Sequence, residues 1–281
     1  MYAKKYLFKL YYIASKQFFG SQRQKVNITI EECLIDTLIN KNYIKDAENS
    51  KFEVASRTDR FVSARGAALS FVSLKKPILM EINSALPREI GLWAHALVQN
   101  DFLSRYNAIY RHYKYFLPIR KGGSYKDEKL NFKLMKKACK ELEGRHDFTN
   151  FYKKGKEEVK TVRDILLASL RKENNFIIFD FKSRAFLRQQ IRRMIAIILE
   201  MGRGKIDYAE YLNLFNPSIT VSYQPADPRG LILWDVKYDE TIRFINDTKS
   251  IERMNTFFLE QEIKYSYKNK LFSIMQHNNV S

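Results

Sequence analysis

One aspartate stands where a reactive carboxylate would be expected. Asp59 lies in a polar turn that follows an apolar strand, between Arg57 and Arg60. Loops held at the ends of rigid strands often carry chemistry, and guanidinium groups nearby favour the ionised form of a carboxylate. An ionised, positioned carboxylate can serve as a nucleophile or a base. The same pattern also suits an ordinary turn aspartate with two solvated arginines, because aspartate is common in turns.

A segment at 110–115 alternates basic and aromatic residues. In a strand, Arg111, Tyr113 and Tyr115 would share one face, because successive side chains point to opposite sides. Such a face could stack an RNA base. It would equally suit a half-buried strand, since tyrosine has a high β propensity.

Two arginines belong to a third stretch, 186–194, which is predicted to open a long helix continuing to Glu200. Arg188 and Arg192 then lie four residues apart on one helical stripe. Like charges at that spacing are mildly destabilising. An anionic partner would explain them, and a solvated helix face is the alternative.

A polar loop follows the first predicted strand. It contains Gln22, Arg23 and Gln24, whose side chains could reach phosphates or base edges. The alternative is an ordinary solvated connection between a strand and a helix.

The composition indicates a polyanionic partner. The 281 residues include 49 lysines and arginines against 31 acidic residues, a formal net charge of +18, and a basic enzyme of this size usually meets nucleic acid. Neither Cys33 and Cys139 nor the four histidines have metal-ligand spacing, so we expect no metal site. The N-terminus lacks the apolar core of a signal peptide and no apolar run approaches about 20 residues. We therefore expect a cytoplasmic protein without a membrane span.

The sequence predicts that strands and helices alternate irregularly along the chain and position these residues. Thr29 is a plausible helix cap, with Glu32 completing a capping box. Strands are predicted at 6–13, 67–74, 91–98, 108–117, 162–171, 176–182 and 231–236, with helices at 81–86, 131–143 and 251–263. Loops or disorder are predicted at 121–126, 153–160 and 276–281. This order predicts an α+β fold, divided into residues 1–105, 106–240 and a helical extension and tail at 241–281.

Several short motifs follow one another along the chain, and the central one is Arg57-Thr58-Asp59 followed by Val62-Ser63-Ala64. It resembles the Arg-Thr-Asp-x-Gly-Val-x-Ala run of the TruA family of tRNA pseudouridine synthases, and the other motifs resemble that family's in the same order. Phe61 stands where the family usually has glycine, and phenylalanine lacks glycine's tolerance of positive φ. The other motifs are Phe18-x-Gly20-x-Gln22-x-Gln24, Asp101-Phe102-x-x-Arg105, Tyr113-x-Tyr115, the segment 144–151, Phe186-Leu187 with Arg192, and the segment 225–231.

The resemblance implies two similar α/β halves that share one mixed, mostly antiparallel sheet with a central cleft. It implies that Asp59 is catalytic, that Arg192 pairs with it and that Tyr113 contacts the target base. The reaction would isomerise uridine to pseudouridine in the anticodon stem-loop, at tRNA positions 38, 39 and 40. It needs no redox partner or group donor, so no cofactor is expected. A homodimer in which one tRNA touches both subunits is also implied.

The RNA contacts form a further set of expectations. Arg57 could fill the space left by a flipped-out nucleotide, offsetting a few kcal/mol of lost stacking. Gln22, Arg23, Gln24 and Arg188 are the other candidate RNA-binding residues.

Another class of function stays open. A non-catalytic protein that binds tRNA or structured RNA would explain the charge and the aromatic strands, although not a carboxylate among arginines, which by itself repels phosphate. A DNA-binding protein would need a recognition helix or zinc spacing, and the sequence shows neither.

Overall fold

A computed structural model of the chain describes residues 2–119, 130–155 and 158–276. The predicted loop at 121–126 lies outside the described residues. So do two residues of the segment 153–160 and all but the first residue of the predicted disordered end, 276–281.

The elements of the N-terminal part alternate between strands and short helices. They are β1 (Lys4–Tyr12), α1 (Ile30–Asn40), β2 (Glu53–Val54), β3 (Ser63–Ser73), α2 (Leu79–Ala85) and β4 (Ile90–Val98). Thr29 caps α1 as predicted, because its side chain accepts a hydrogen bond from the backbone N–H of Glu32 at 3.2 Å.

The rest of the chain repeats this mixture and ends in a long helix. Its elements are β5 (Tyr110–Pro118), α3 (Phe132–Glu141), β6 (Gly144–Asp147), β7 (Val162–Glu173), β8 (Phe176–Ser183), α4 (Gln190–Gly202), α5 (Tyr208–Asn213), β9 (Leu231–Lys237), β10 (Ile245–Asn246) and α6 (Thr248–Met275). Short 3-10 turns lie at Thr149–Phe151 and Pro228–Gly230.

The ten strands that the structure describes form one sheet. Its order is β10-β4-β1-β3-β9-β5-β8-β7-β6, with β2 paired to β3. Neighbouring strands are antiparallel except β3 and β9, which pair in parallel at Ser63–Ile232 and Ala64–Leu233. The predicted α+β class and the mixed, mostly antiparallel sheet are confirmed. The β3–β9 pair joins the strands of residues 4–98 to those of residues 110–237.

Burial of apolar side chains explains how β5, α1 and α4 pack into the core. In β5 the burial alternates as predicted, with Arg111, Tyr113 and Tyr115 buried and the residues between them half-buried. Helix α1 buries Leu34 and Leu38, one turn apart, and α4 buries residues on successive turns in the same way. These side chains belong to one continuous apolar cluster along the sheet.

Helix α6 is longer than the predicted helix at 251–263. It runs for 28 residues because the segment up to Met275 contains no glycine or proline to end it. Its first part packs on the sheet, where Met254 and Phe257 bury against Tyr11. No helix in the described ranges, α6 included, combines the length and apolar character needed to cross a bilayer.

Candidate active site

An ion pair across the β3–β9 junction marks the candidate site. The guanidinium of Arg192 donates to Oδ2 of Asp59 at 2.9 Å, although the two residues are 133 positions apart in the chain. The Arg192 side chain is 9% exposed and that of Asp59 is 31% exposed. The cation is therefore held in the protein while the carboxylate faces solvent.

Arg192 owes its position to the start of α4. The predicted helix from 186 is wrong, because Gln189 takes a left-handed conformation, with φ at 60°, and α4 begins at Gln190. Arg188 is therefore outside the helix and exposed, so the predicted stripe with Arg192 does not form. A second hydrogen bond orients the guanidinium, since Nε of Arg192 donates to the carbonyl of Ala226 at 2.7 Å.

The turn that carries Asp59 is held through its neighbour Thr58. The Thr58 hydroxyl shares a hydrogen bond with the Tyr12 hydroxyl at 2.8 Å, and its backbone N–H donates to Oγ of Ser21 at 2.7 Å. Gly20 has φ at +101°, and a Cβ there would lie 3.2 Å from the Thr58 carbonyl oxygen. Strand β1 and the loop after it thus fix the turn against the sheet, which accounts for the Gly20 position of the motif.

Phe61 adopts the conformation that glycine would favour at this place. Its φ is 67°, and the N–H of Val62 donates to the carbonyl of Asp59 at 3.2 Å, closing the turn. The Arg60 guanidinium lies 4.7 Å from the Phe61 ring centroid and 3.7 Å from that of Phe19. The left-handed turn is therefore kept without glycine, and a cation between two rings packs against it.

Tyr113 lies close enough to Asp59 for the charge of the carboxylate to affect the pKa of the phenol. Burial raises the pKa of the Tyr113 phenol to about 12, while the Arg111 guanidinium lowers it and Asp59 raises it further. The ring of Phe186 meets the Tyr113 ring edge-on at 5.4 Å between centroids. The phenol is protonated at neutral pH, so it can stack or donate a hydrogen bond in this state.

The remaining predicted RNA-binding residues lie on the surface. Arg57 is exposed, as are Gln22, Arg23 and Gln24 in the loop before α1. Their contacts are local: the Arg23 N–H donates to Glu31 at 3.2 Å and Gln24 donates to the Phe19 carbonyl at 2.6 Å. The structure brings Asp59, Arg192 and Tyr113 together and leaves these side chains open to solvent.

Arg111 is a residue of the site region that was not among the predicted site residues. This arginine is 7% exposed, and its guanidinium donates to the carbonyls of Ala55, Arg105 and Arg184 and to the hydroxyl of Ser56, at 2.5–3.2 Å. It ties the strand before the Asp59 turn to β5 and β8. Its place beside Tyr113 in the alternating segment 110–115 was the available signal.

A mixed sheet with an ion-paired aspartate at the junction of its two strand sets is the arrangement expected of a pseudouridine synthase. The comparisons with known proteins agree. A family model described as tRNA pseudouridine synthase matches residues 138–239, which include Arg192. The similarity to whole relatives extends over the segment of Asp59 as well.

Three archaeal relatives carry the name tRNA pseudouridine synthase A. The chain is 34% identical to the protein of Archaeoglobus fulgidus over 99% of both chains. It is 30% identical to that of Methanothermobacter thermautotrophicus over 93% of this chain and 90% of the relative, and 35% identical to that of Methanosarcina acetivorans over 87% and 88%. The chain therefore belongs to the TruA family of tRNA pseudouridine synthases, which are isomerases.

Among solved structures, an unknown protein from Galdieria sulphuraria aligns with the chain. It covers 73% of this chain and 94% of its own, with 12% identity and a TM-score of 0.20. That score supports no conclusion about the fold.

Proposed function

We propose that this protein isomerises uridine to pseudouridine in tRNA and that Asp59 carries the chemistry. The observation that carries the proposal is the 2.9 Å pair between Asp59 and Arg192, in which the carboxylate keeps one side toward solvent. The name of the Archaeoglobus fulgidus relative, tRNA pseudouridine synthase A, with which the chain aligns almost end to end, supports the same activity. By family resemblance, the substrate uridines lie in the anticodon stem-loop.

The reaction is an internal rearrangement of one nucleotide. The N1–C1′ bond breaks, the uracil turns and C5 bonds to C1′; the proton leaves C5 and N1 ends protonated, so nothing external is consumed. Asp59 would either attack C1′ or remove a proton from the sugar. Both routes require the ionised carboxylate and neither requires a cofactor.

Three side chains would support Asp59. Arg192 would keep the carboxylate charged and aligned, because it is nearly buried and fixed by its bond to Ala226. Tyr113 would stack on the uracil, and a pKa near 12 favours stacking and hydrogen bonding over action as a base. Arg57, exposed beside the aspartate, would occupy the gap left by the flipped nucleotide.

The partner we propose is tRNA, bound in the cytoplasm, with further contacts from Gln22, Arg23, Gln24 and Arg188. We also propose that the protein acts as a homodimer. A row of exposed apolar side chains on the outer part of α6 fits that assembly: Leu259, Ile263, Tyr267, Leu271 and Ile274. Light scattering of the purified protein would test it, and a monomer at all concentrations would contradict it.

The decisive test uses the purified protein alone with an unmodified tRNA transcript. We expect pseudouridine to form, detected as tritium released from 5-tritiated uridine and mapped by reverse transcription after carbodiimide treatment. Tight tRNA binding without pseudouridine would instead support the alternative function, a non-catalytic RNA-binding protein.

A further inference from the structure

A concave site lies beside Arg111, the arginine that also binds the segment before the Asp59 turn. It is a pocket of about 870 Å³ between the loop before β5, strands β6 and β7, and the end of β8. Six cations line it, Arg105, Arg111, Arg145, Lys160, Arg163 and Arg184, against one carboxylate, Asp164. These residues are called the basic groove.

The cations of the basic groove are not neutralised by the protein. None of the six forms an ion pair with a carboxylate of the described residues, although Asp164 stands opposite Arg145 in the β6–β7 register. The side chains of Arg105, Arg145 and Arg184 are exposed. So many like charges in one concavity repel each other, and an anion bound among them would relieve that repulsion.

Apart from the buried Arg111, Arg163 is the least exposed of the six cations of the basic groove. Its guanidinium donates to the carbonyls of Lys160 and Val162 at 2.7 and 2.8 Å, while its buried Nε has no hydrogen-bond partner. Burial lowers the pKa of the Arg163 guanidinium. A half-buried guanidinium that has no carboxylate partner among the described residues favours an anionic oxygen nearby.

The basic groove is connected to the turn of Asp59 through Arg111. Arg111 lines it and also donates to the Ala55 carbonyl at 2.7 Å and to Ser56 at 3.2 Å, three residues before Asp59. The groove also offers an aromatic surface, because Tyr106 is 61% exposed and its ring lies 5.5 Å from the Arg105 guanidinium. Unpaired cations beside an exposed ring are the combination that binds single-stranded nucleic acid.

We infer that the basic groove binds the phosphodiester backbone of the substrate RNA strand next to the target uridine, with Tyr106 stacking on an unpaired base. A single small anion would use only one or two of these cations, whereas they come from four separate segments of the chain. A strand whose uridine reaches Asp59 must continue past the turn, and the basic groove is linked to the segment before that turn through Arg111. The inference rests on the proposed function for the identity of the strand.

The test neutralises two exposed groove arginines, Arg145→Gln with Arg184→Gln. Their side chains are exposed, and the backbone carbonyl of Arg184 that binds Arg111 is retained. The control removes equal charge from α3, Lys133→Gln with Lys136→Gln, both exposed. Affinity for a tRNA transcript is measured over a series of salt concentrations, and conversion by single turnover at saturating enzyme.

For the groove pair we expect Kd to rise roughly tenfold and the log–log salt slope to fall by about 1.5, since each phosphate contact contributes about 0.7–0.9 to it. The single-turnover rate should stay within about threefold, because these side chains do not touch Asp59. A loss of affinity no greater than that of the α3 control would overturn the inference. Normal affinity with slow conversion would overturn it as well.

Tyr106→Leu separates stacking from charge. We expect Kd to rise roughly fivefold or more, as for loss of a stacked base, with the salt slope unchanged. Unchanged affinity would remove Tyr106 from the site. If the native protein binds tRNA but forms no pseudouridine, the proposed function fails, while these binding comparisons still decide the inference about the groove.

Discussion

Asp59 and Asp180 are both carboxylates that bind cations, yet their surroundings differ. Asp180 lies within β8, and its side chain is 13% exposed. It binds His112 at 2.7 Å, Lys114 at 2.9 Å and Arg171 at 2.6 Å, so both of its oxygens are used. Asp59 lies in a turn, is 31% exposed and has one cation partner, on Oδ2.

The difference separates a structural carboxylate from one that can react. Burial raises the pKa of Asp180, but the hydrogen bonds from His112 and Lys114 outweigh it and hold that pKa well below its usual range, which fixes the charge and position of the carboxylate. Asp59 keeps an oxygen that accepts no hydrogen bond from the described residues. A free, charged oxygen on a held turn is what nucleophilic or base catalysis needs. Substitutions at four positions test this contrast.

The largest effect is expected for Asp59→Asn. The amide is nearly the same size but lacks the charge, so turnover should fall by about 10⁴ or more, to an undetectable level. The melting temperature should change little, and tRNA binding should hold or tighten because a negative charge leaves an RNA-facing surface. Single-turnover pseudouridine formation beside a binding titration checks both. Substantial turnover by pure variant protein would show that the wrong residue, or the wrong reaction, has been named.

Arg192 should come second. Arg192→Ala removes the cation that aligns Asp59 and leaves the Ala226 carbonyl without its donor, so we expect the single-turnover rate to fall by about 10²–10³. Arg192→Lys keeps the charge but cannot make both bonds, and it should retain more activity. Equal rates for the two variants would remove the proposed alignment role. Circular dichroism spectra and melting curves of both proteins provide the folding control.

Asp180→Asn should show the opposite profile. It removes the counter-charge of Lys114 and one of the two carboxylate partners of Arg171, the other being Glu173. We expect a loss of about 2–4 kcal/mol in the free energy of unfolding near neutral pH. Turnover of the folded variant should stay within about threefold, since Asp180 takes no part in the proposed reaction. A loss of turnover comparable to that of Asp59→Asn would end the contrast between the two carboxylates.

The pH dependence sharpens the same prediction. The pKa of Asp180 is depressed in the folded protein, so its stabilisation is present above the ordinary aspartate value of about 4 and is lost as the pH falls below it. The stability difference between the native protein and Asp180→Asn should therefore shrink as the pH falls below about 4. Urea unfolding of both proteins at neutral and acidic pH measures it, and a difference that grows toward acid would contradict this account.

The sequence revealed the parts of the site that short motifs carry. The Arg57–Ala64 motif identified Asp59, and the arginine-containing stretch identified Arg192 as its partner, which the structure places at 2.9 Å. Without the resemblance, Asp59 could not be told from an ordinary turn aspartate, because the local pattern is the same. The roles of Asp59, Tyr113 and Arg57, and the division at 105 and 240, stay predictions.

Other features depend on contacts that local patterns do not encode. The start of α4 was misplaced because the left-handed Gln189 has no glycine or proline to mark it. The short helix α5 was not predicted, although Asp207 and Glu210 form a capping box at its start. The basic groove gathers arginines from four segments, and only the folded sheet brings them together.

The smallest effect is expected at Phe61. Its left-handed backbone belongs to the turn of Asp59, whereas Asp180 lies in a regular strand. At φ of 67° a side chain strains the backbone, by about 1 kcal/mol relative to glycine. Phe61 offsets this strain through its ring, which packs 4.7 Å from the Arg60 guanidinium, a contact worth about 0.5–1 kcal/mol at a partly exposed site. Phe61→Gly removes both the backbone strain and the contact of the ring, so stability should stay within about 0.5 kcal/mol and turnover within about threefold.

Phe61→Ala keeps the strain and loses the ring, so it should be less stable than Phe61→Gly by about 1 kcal/mol. Glycine is normally the less stable of the two in a regular strand or helix, so the expected order is reversed. Urea unfolding of the two variants side by side measures it, and an alanine variant as stable as the glycine variant would mean that the turn beside Asp59 relaxes and is not held as described.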